Sequence, residues 1–215
     1  LIGGAVFLWL VERNGAFADM SGGEKALAAL FQSVTARTAG FSTLPMESLA
    51  YPSLFALLLL MFIGGGACST AGGIKVSTFG VLTLQGLALA RHKWQAAAFG
   101  RRVPERMLNT AAAVLSVYTL VLLSGLMLLL VFESHDLAHA GGGGHFMDLV
   151  FEATSALGTV GLSTGVTAEL TEPSRIVLVL MMLLGRVGPL AMASVLLQRP
   201  QGPKIRYPES EVIVG

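Results

Sequence analysis

Two short stretches carry the residue types that could handle a bare ion. Thr38-Ala39-Gly40-Phe41-Ser42-Thr43 returns, without a gap, as Thr159-Val160-Gly161-Leu162-Ser163-Thr164. Each holds one glycine among small, hydroxylated and apolar residues, with no acidic side chain inside it. A dehydrated potassium ion needs several oxygen ligands of modest field strength, which backbone carbonyls supply when successive C=O groups turn inward. Glycine gives the backbone that freedom, φ > 0 included. The hydroxyls of Thr38 and Thr159 could add an oxygen each. A preceding short helix would aim its partially negative C-terminal end at the ion. The lack of carboxylates favours carbonyl coordination over acidic rings. The plainer alternative is an ordinary glycine turn ending a helix, which two copies between apolar segments make harder to sustain.

Three other groups could do chemistry. Gly64-Gly65-Gly66-Ala67-Cys68-Ser69-Thr70-Ala71-Gly72-Gly73-Ile74-Lys75 interrupts an apolar run. It superficially resembles a phosphate-binding loop, but Lys75 follows isoleucine and no strand precedes it, so the nucleotide pattern fails. Glycine inside a helix costs about 1 kcal/mol relative to alanine. Irregular backbone at membrane depth is tolerated only against protein or a water-filled route, so the break belongs beside a pore, packs closely against a neighbour through its glycines, or does both. Arg186 lies about midway along the apolar run 175–197 and should face the pore interior or pair with an acid or carbonyl; a purely structural ion pair is the alternative. His135 and His139, at i and i+4 with Glu133 and Asp136 near and His145 following, could hold a metal if helical, yet Gly141 to Gly144 reads as a flexible external loop. Glu152 reads as a packing or pore-mouth residue. Nothing pairs a nucleophile with a base, so no enzyme is expected.

The elements that must position these groups are apolar helices. Of 215 residues, 53% are hydrophobic and 13% charged, with a mean hydropathy of +0.71, against about 25% charged in soluble domains. The chain should therefore lie in the lipid bilayer. One cysteine, Cys68, excludes an internal disulfide, and no basic tail suggests nucleic acid. Residues 1–11 are too short to span, and the sequence is expected to begin partway through a transmembrane helix. Ser21 and Glu24 form a capping box for a short helix over 25–35. Apolar segments follow at 53–63, 74–90, 107–132 and 175–197, with a second short helix over 145–157. The loop 91–106 carries five Lys/Arg and one acid, whereas 133–174 carries six acids and no Lys/Arg. The positive-inside rule then places that loop and the tail 199–215 in the cytoplasm and both turns outside. The two copies share one orientation.

The repeat extends beyond the turns. Gly40 to Gly161 and Gly64 to Gly185 are both offsets of 121, so Met61-Phe62-Ile63-Gly64-Gly65 aligns with Met182-Leu183-Leu184-Gly185-Arg186. The expected fold is an all-α polytopic membrane protein of parallel repeats, each a span, a re-entrant helix, a turn and a span. Residues 1–106 form one repeat with its cytoplasmic loop, 107–198 the next, and 199–215 a tail.

Here the residues resemble a known family. Thr35-Ala36-Arg37-Thr38-Ala39-Gly40-Phe41 and Gly158-Thr159-Val160-Gly161-Leu162-Ser163-Thr164 are similar to the third and fourth filter motifs of the Trk/Ktr/HKT superfamily of potassium transporters, especially its Ktr-type membrane subunit. Gly64 to Lys75 resembles its intramembrane gating loop, Gly185-Arg186-Val187-Gly188-Pro189 its last-helix motif, and Tyr207-Pro208-Glu209 a Ktr-like C-terminus. The resemblance implies a filter contributed by Thr38, Ala39, Gly40, Phe41, Thr159, Val160, Gly161 and Leu162. It implies a gate at Gly64, Gly65, Gly66, Ser69, Thr70, Gly72, Gly73 and Lys75, with Arg186 as barrier or counter-charge. It further implies gated potassium uptake across the cell membrane, a homodimer, a cytosolic nucleotide-binding regulatory subunit, possible sodium dependence, and four repeats of which two are present. A missing first half is expected, rather than two such chains closing a ring. A sodium-selective relative and a non-conducting scaffold or sensor remain the alternatives.

Overall fold

The computed structural model describes residues 1–66, 71–91, 97–98, 101–133 and 144–187. Seven helices follow in order among these residues: α1 (Ile2–Glu12), α2 (Gly22–Thr35), α3 (Tyr51–Phe62), α4 (Val76–Ala90), α5 (Glu105–Phe132), α6 (Gly144–Gly158) and α7 (Glu172–Val187). Between α4 and α5 two short strands, β1 (Ala97–Ala98) and β2 (Arg101–Arg102), pair antiparallel within the basic loop. Single 3-10 turns at Met46–Ser48 and Val166–Ala168 lead into α3 and α7.

The helices fall into the expected roles. At 28 residues, α5 is long and apolar enough to cross a membrane. Helices α2 and α6, with 14 and 15 residues, reach only about 21–22 Å at 1.5 Å per residue, short of the ~30 Å hydrocarbon core. They suit re-entrant elements. Ser21 starts α2, its backbone N–H donating to the Glu24 carboxylate at 2.8 Å. That bond holds the Glu24 carboxyl below its usual range. The apolar run 175–197 is described only as far as Val187; its remainder, like the tail, His135, His139, Ser69 and Thr70, lies outside the described residues.

Helices α3 and α4 are one interrupted span. They have 12 and 15 residues, together about 40 Å of helix. Ile63 and Ile74 form a parallel bridge, with Gly64 N–H on the Ile74 carbonyl at 2.8 Å and Ile74 N–H on the Phe62 carbonyl at 3.1 Å. A parallel pairing means that the chain leaves the span, loops, and resumes in the same direction.

The duplication is visible in contacts as well as residue types. Glu12, 1% exposed at the end of α1, accepts the backbone N–H of Ala50, the residue preceding α3, at 2.9 Å. Glu133, 6% exposed at the end of α5, accepts the N–H of Thr171, the residue preceding α7, also at 2.9 Å. Both partners are displaced by the same 121 positions. A carboxylate at a helix N-terminus satisfies an orphan donor and complements the helix dipole. Likewise a Cβ on Gly4 would meet Leu60 at 2.7 Å, and one on Gly125 would meet Met181 at 2.4 Å, so the two spans of each repeat approach through the same glycine. Two apolar cores result, one around Leu8, Leu57 and Met61, the other around Leu129, Leu178 and Met181. They interlock, since Phe151, Val160 and Leu162 enter the first and Ile74 enters the second.

The carboxylate braces predict a paired effect. Glu12→Ala and Glu133→Ala each remove the acceptor of a half-buried helix-entry N–H, at a cost of about 1 kcal/mol. Both variants should melt earlier in detergent than their glutamine counterparts, which keep one acceptor oxygen. Equal melting of alanine and wild-type proteins would remove the bracing role.

Candidate filter and loop site

Each short helix ends in a way that an ordinary glycine turn does not. In α6 the Thr159 N–H bonds the Ala156 carbonyl at 3.1 Å and the Val160 N–H bonds the Ser155 carbonyl at 2.9 Å. These are the paired bonds of a Schellman cap, but the left-handed residue is Thr159, at φ 51°, not glycine. Gly161 then takes a second positive φ of 91°. The first repeat has the same pair of positive φ values, Thr38 at 69° and Gly40 at 74°, with Ala39 N–H on the Thr35 carbonyl at 3.1 Å. A β-branched residue at positive φ is a genuine outlier and costs of order 1–3 kcal/mol. A helix cap needs one left-handed residue; these turns have two, separated by one residue of negative φ. Alternating handedness gathers successive peptide groups onto common sides, N–H one way and C=O the other.

The turns meet at their glycines. A Cβ on Gly40 would lie 2.6 Å from the Val160 carbonyl oxygen, and one on Gly161 would lie 3.4 Å from the Gly40 Cα. Side chains behind each turn hold it to its short helix. Thr35 Oγ1 donates to the Phe41 carbonyl, and Gln32 Nε2 donates to Ser42 Oγ at 3.3 Å. In the second repeat Glu152, 6% exposed, takes the larger share: it accepts from Ser163 Oγ, from Thr164 N–H at 3.1 Å and from Thr167 Oγ1 at 2.8 Å. The flanks differ. Ala39 and Phe41 are exposed, whereas their counterparts Val160 and Leu162 are buried.

The interrupted span comes up against both turns. Gly72 N–H donates to Thr159 Oγ1 at 3.1 Å, and a Cβ on Gly72 would lie 2.6 Å from the Gly158 carbonyl oxygen. Arg37, immediately before the first turn, donates from Nη1 to the Gly64 carbonyl at 3.0 Å. The loop closes on itself: Val76 N–H bonds the Gly65 carbonyl at 3.1 Å, Lys75 Nζ bonds the Ala71 carbonyl at 2.6 Å, and Gly73 sits at φ 72°. Gly66 borders open space. Arg186, exposed on α7, lines a cavity of about 460 Å³ together with Glu152, Thr159, Val160, Gly161 and Leu162.

Thus the structure brings together Thr38 to Phe41, Thr159 to Leu162, the described part of the glycine loop, Lys75 and Arg186. Sequence reasoning gave no role to Arg37 and left Glu152 open between packing and pore mouth. An arginine directly before a left-handed threonine was the available signal for the first. Glu152→Ala leaves the buried Thr164 N–H unmet at a cost of about 1–3 kcal/mol. It should melt earlier in detergent than the wild type, with Glu152→Gln between the two; wild-type melting of the alanine variant would remove Glu152 from the role of brace.

Comparison with known proteins gives a consistent picture. A family model described as TrkH, cation transport protein, matches residues 1–206. The chain is 37% identical over 217 residues to the Ktr system potassium uptake protein B of Vibrio alginolyticus, covering 100% of this chain and 46% of that protein. It is 33% identical over 218 residues to the potassium/sodium uptake protein NtpJ of Enterococcus hirae, covering 100% of this chain and 47% of that protein. The crystal structure of the potassium transporter TrkH from Vibrio parahaemolyticus superposes with a TM-score of 0.72 at 25% identity, over 93% of this chain and 42% of that one. The chain therefore spans about half the length of the curated relatives it matches.

Proposed function

The chain belongs to the TrkH family of cation transport proteins, and we propose that it forms half of the ion-conducting subunit of a potassium uptake system in the cytoplasmic membrane. The observation that carries this reading is the pair of Thr-x-Gly turns, each with two left-handed residues, that end two short helices and touch at Gly40 and Gly161. Thr38 to Phe41 and Thr159 to Leu162 present their carbonyls to the ion, and two further turns complete the ring. The names of the relatives support potassium, while that of the Enterococcus protein keeps sodium as a second transported ion.

In this reading the loop between α3 and α4 lies under the filter and gates it. Gly64, Gly65, Gly66, Gly72, Gly73 and Lys75 form its described part, and Arg186 presents a positive charge near it. The turns face outward, and the loop 91–106 and the tail face the cytoplasm, as the charge asymmetry supports. A homodimer resting on a cytosolic nucleotide-binding regulatory subunit completes the assembly.

The test is growth at limiting potassium, together with rubidium uptake, in cells lacking their own uptake systems. The full-length gene product should support both, and the 215-residue chain alone should support neither. Transport by the short chain alone would mean that two copies close the ring. Failure of both, despite membrane insertion and the regulatory partner, would favour a scaffold or sensor.

A further inference from the structure

We propose that Arg37 is a positioning residue that latches the glycine loop to the first filter turn; the proposal rests on reading that loop as the gate. Hydrogen bonds tie the described part of the loop to both filter turns. Its trailing side donates Gly72 N–H to Thr159 Oγ1 at 3.1 Å. Its leading side is held through a side chain, the Arg37 guanidinium donating to the Gly64 carbonyl at 3.0 Å. The first bond ties the loop to the second filter turn and the other ties it to the first.

The duplication gives this contact a meaning. The position equivalent to Arg37 is Gly158, and the position equivalent to Gly65 is Arg186. Each repeat therefore has one guanidinium where the short helix meets the middle of the following span, but on opposite partners. In the second repeat the bare Gly185 lies directly against the end of α6, a Cβ there meeting the Leu157 carbonyl oxygen at 2.0 Å. In the first repeat the span is interrupted, and Arg37 reaches across to its first loop residue. A helix C-terminus favours a cation, and a guanidinium stays charged at every accessible pH and offers directional donors that an ammonium lacks. The latch thus does not depend on pH.

A hydrogen bond from a charged donor corresponds to about ten-fold or more in a two-state equilibrium. In the full-length gene product with its regulatory partner, Arg37→Gln should raise the maximal rate of rubidium uptake about ten-fold with KM unchanged, and by the same factor from pH 6 to pH 8. Arg37→Lys should give a smaller rise. In a background lacking residues 67–73, Arg37→Gln should add nothing, because there is no loop left to release. Rates are compared at matched membrane abundance, and if Arg37→Gln does not accumulate, Arg37→Lys carries the same comparison. An unchanged maximal rate, a change confined to KM or to ion preference, or an equal increase in the loopless background would overturn the latch. If the loop deletion alone leaves uptake unchanged, the gate reading itself falls, and that outcome is distinguishable from failure of Arg37→Gln beside an active deletion.

Discussion

In the full-length gene product, Gly40→Ala should abolish selective uptake, whereas Gly161→Ser should leave transport with poor discrimination between potassium and sodium. Both glycines hold positive φ, 74° and 91°, where an L-residue costs roughly 1–2 kcal/mol. They differ in what a side chain would meet. A Cβ on Gly40 would lie 2.6 Å from the Val160 carbonyl oxygen, which belongs to the other filter turn. That oxygen cannot retreat without moving the turn that presents it. A Cβ on Gly161 meets only the Gly40 Cα, at an ordinary 3.4 Å. Gly40→Ala therefore distorts both turns, and Gly161→Ser strains one. Each 1.4 kcal/mol of differential binding is a factor of about ten, so Gly161→Ser should lower the potassium-over-sodium preference by roughly that factor. Rubidium uptake in competition with potassium and with sodium reads both. Unchanged preference in both variants would sink the filter assignment; a milder Gly40→Ala than Gly161→Ser would sink the contact between the turns.

The asymmetry of those two glycines was not legible in the sequence, which made them equivalent. What the sequence carries is local: the capping pair Ser21 and Glu24, the apolar helices, the glycine break, and the 121-residue offset that aligns Gly64 with Gly185. Each depends on residues close in the chain or on a pattern compared with itself. What it does not carry is tertiary. Glu12 and Glu133 look like polar residues that end apolar segments, yet each is buried and reaches a backbone N–H 38 residues on. The left-handed threonines were hidden because propensity assigns positive φ to glycine; the strain at Thr159 is held by the cap of α6 and the loop against it. Thr159 shows why it is tolerated, since the same residue that strains the turn receives the Gly72 N–H on its hydroxyl. Glycine there would relieve the strain and lose that bond.

Deleting residues 67–73 from the full-length gene product should raise potassium flux if the loop is the gate, and the geometry of the interruption says what the deletion changes. The chain leaves the span and re-enters it at one place, because Ile63 and Ile74 are bridged in parallel. Gly64 N–H bonds the Ile74 carbonyl at 2.8 Å and Val76 N–H bonds the Gly65 carbonyl at 3.1 Å, a parallel pairing that Gly64 to Gly66 must give up to join Ile74 directly. The close backbone contacts of the loop vanish together: a Cβ on Gly64 would lie 2.0 Å from the Gly72 carbonyl oxygen, and Gly73 requires φ 72°. Helices α3 and α4 lie outside the deleted residues, while the second turn loses the Gly72 N–H on Thr159 Oγ1. If the loop keeps the route closed most of the time, its removal should increase the initial rate of rubidium uptake about ten-fold or more, one factor of ten for each 1.4 kcal/mol by which closure is favoured. Gly64→Ala tests the same contact without shortening the chain. It drives the two sides of the loop apart and should raise flux in the same direction, with a lower melting temperature in detergent. Unchanged flux from a deletion variant that reaches the membrane and assembles normally would show that the loop is a packing device. A rise in flux in both variants would locate the gate at the meeting of Gly64 and Gly72.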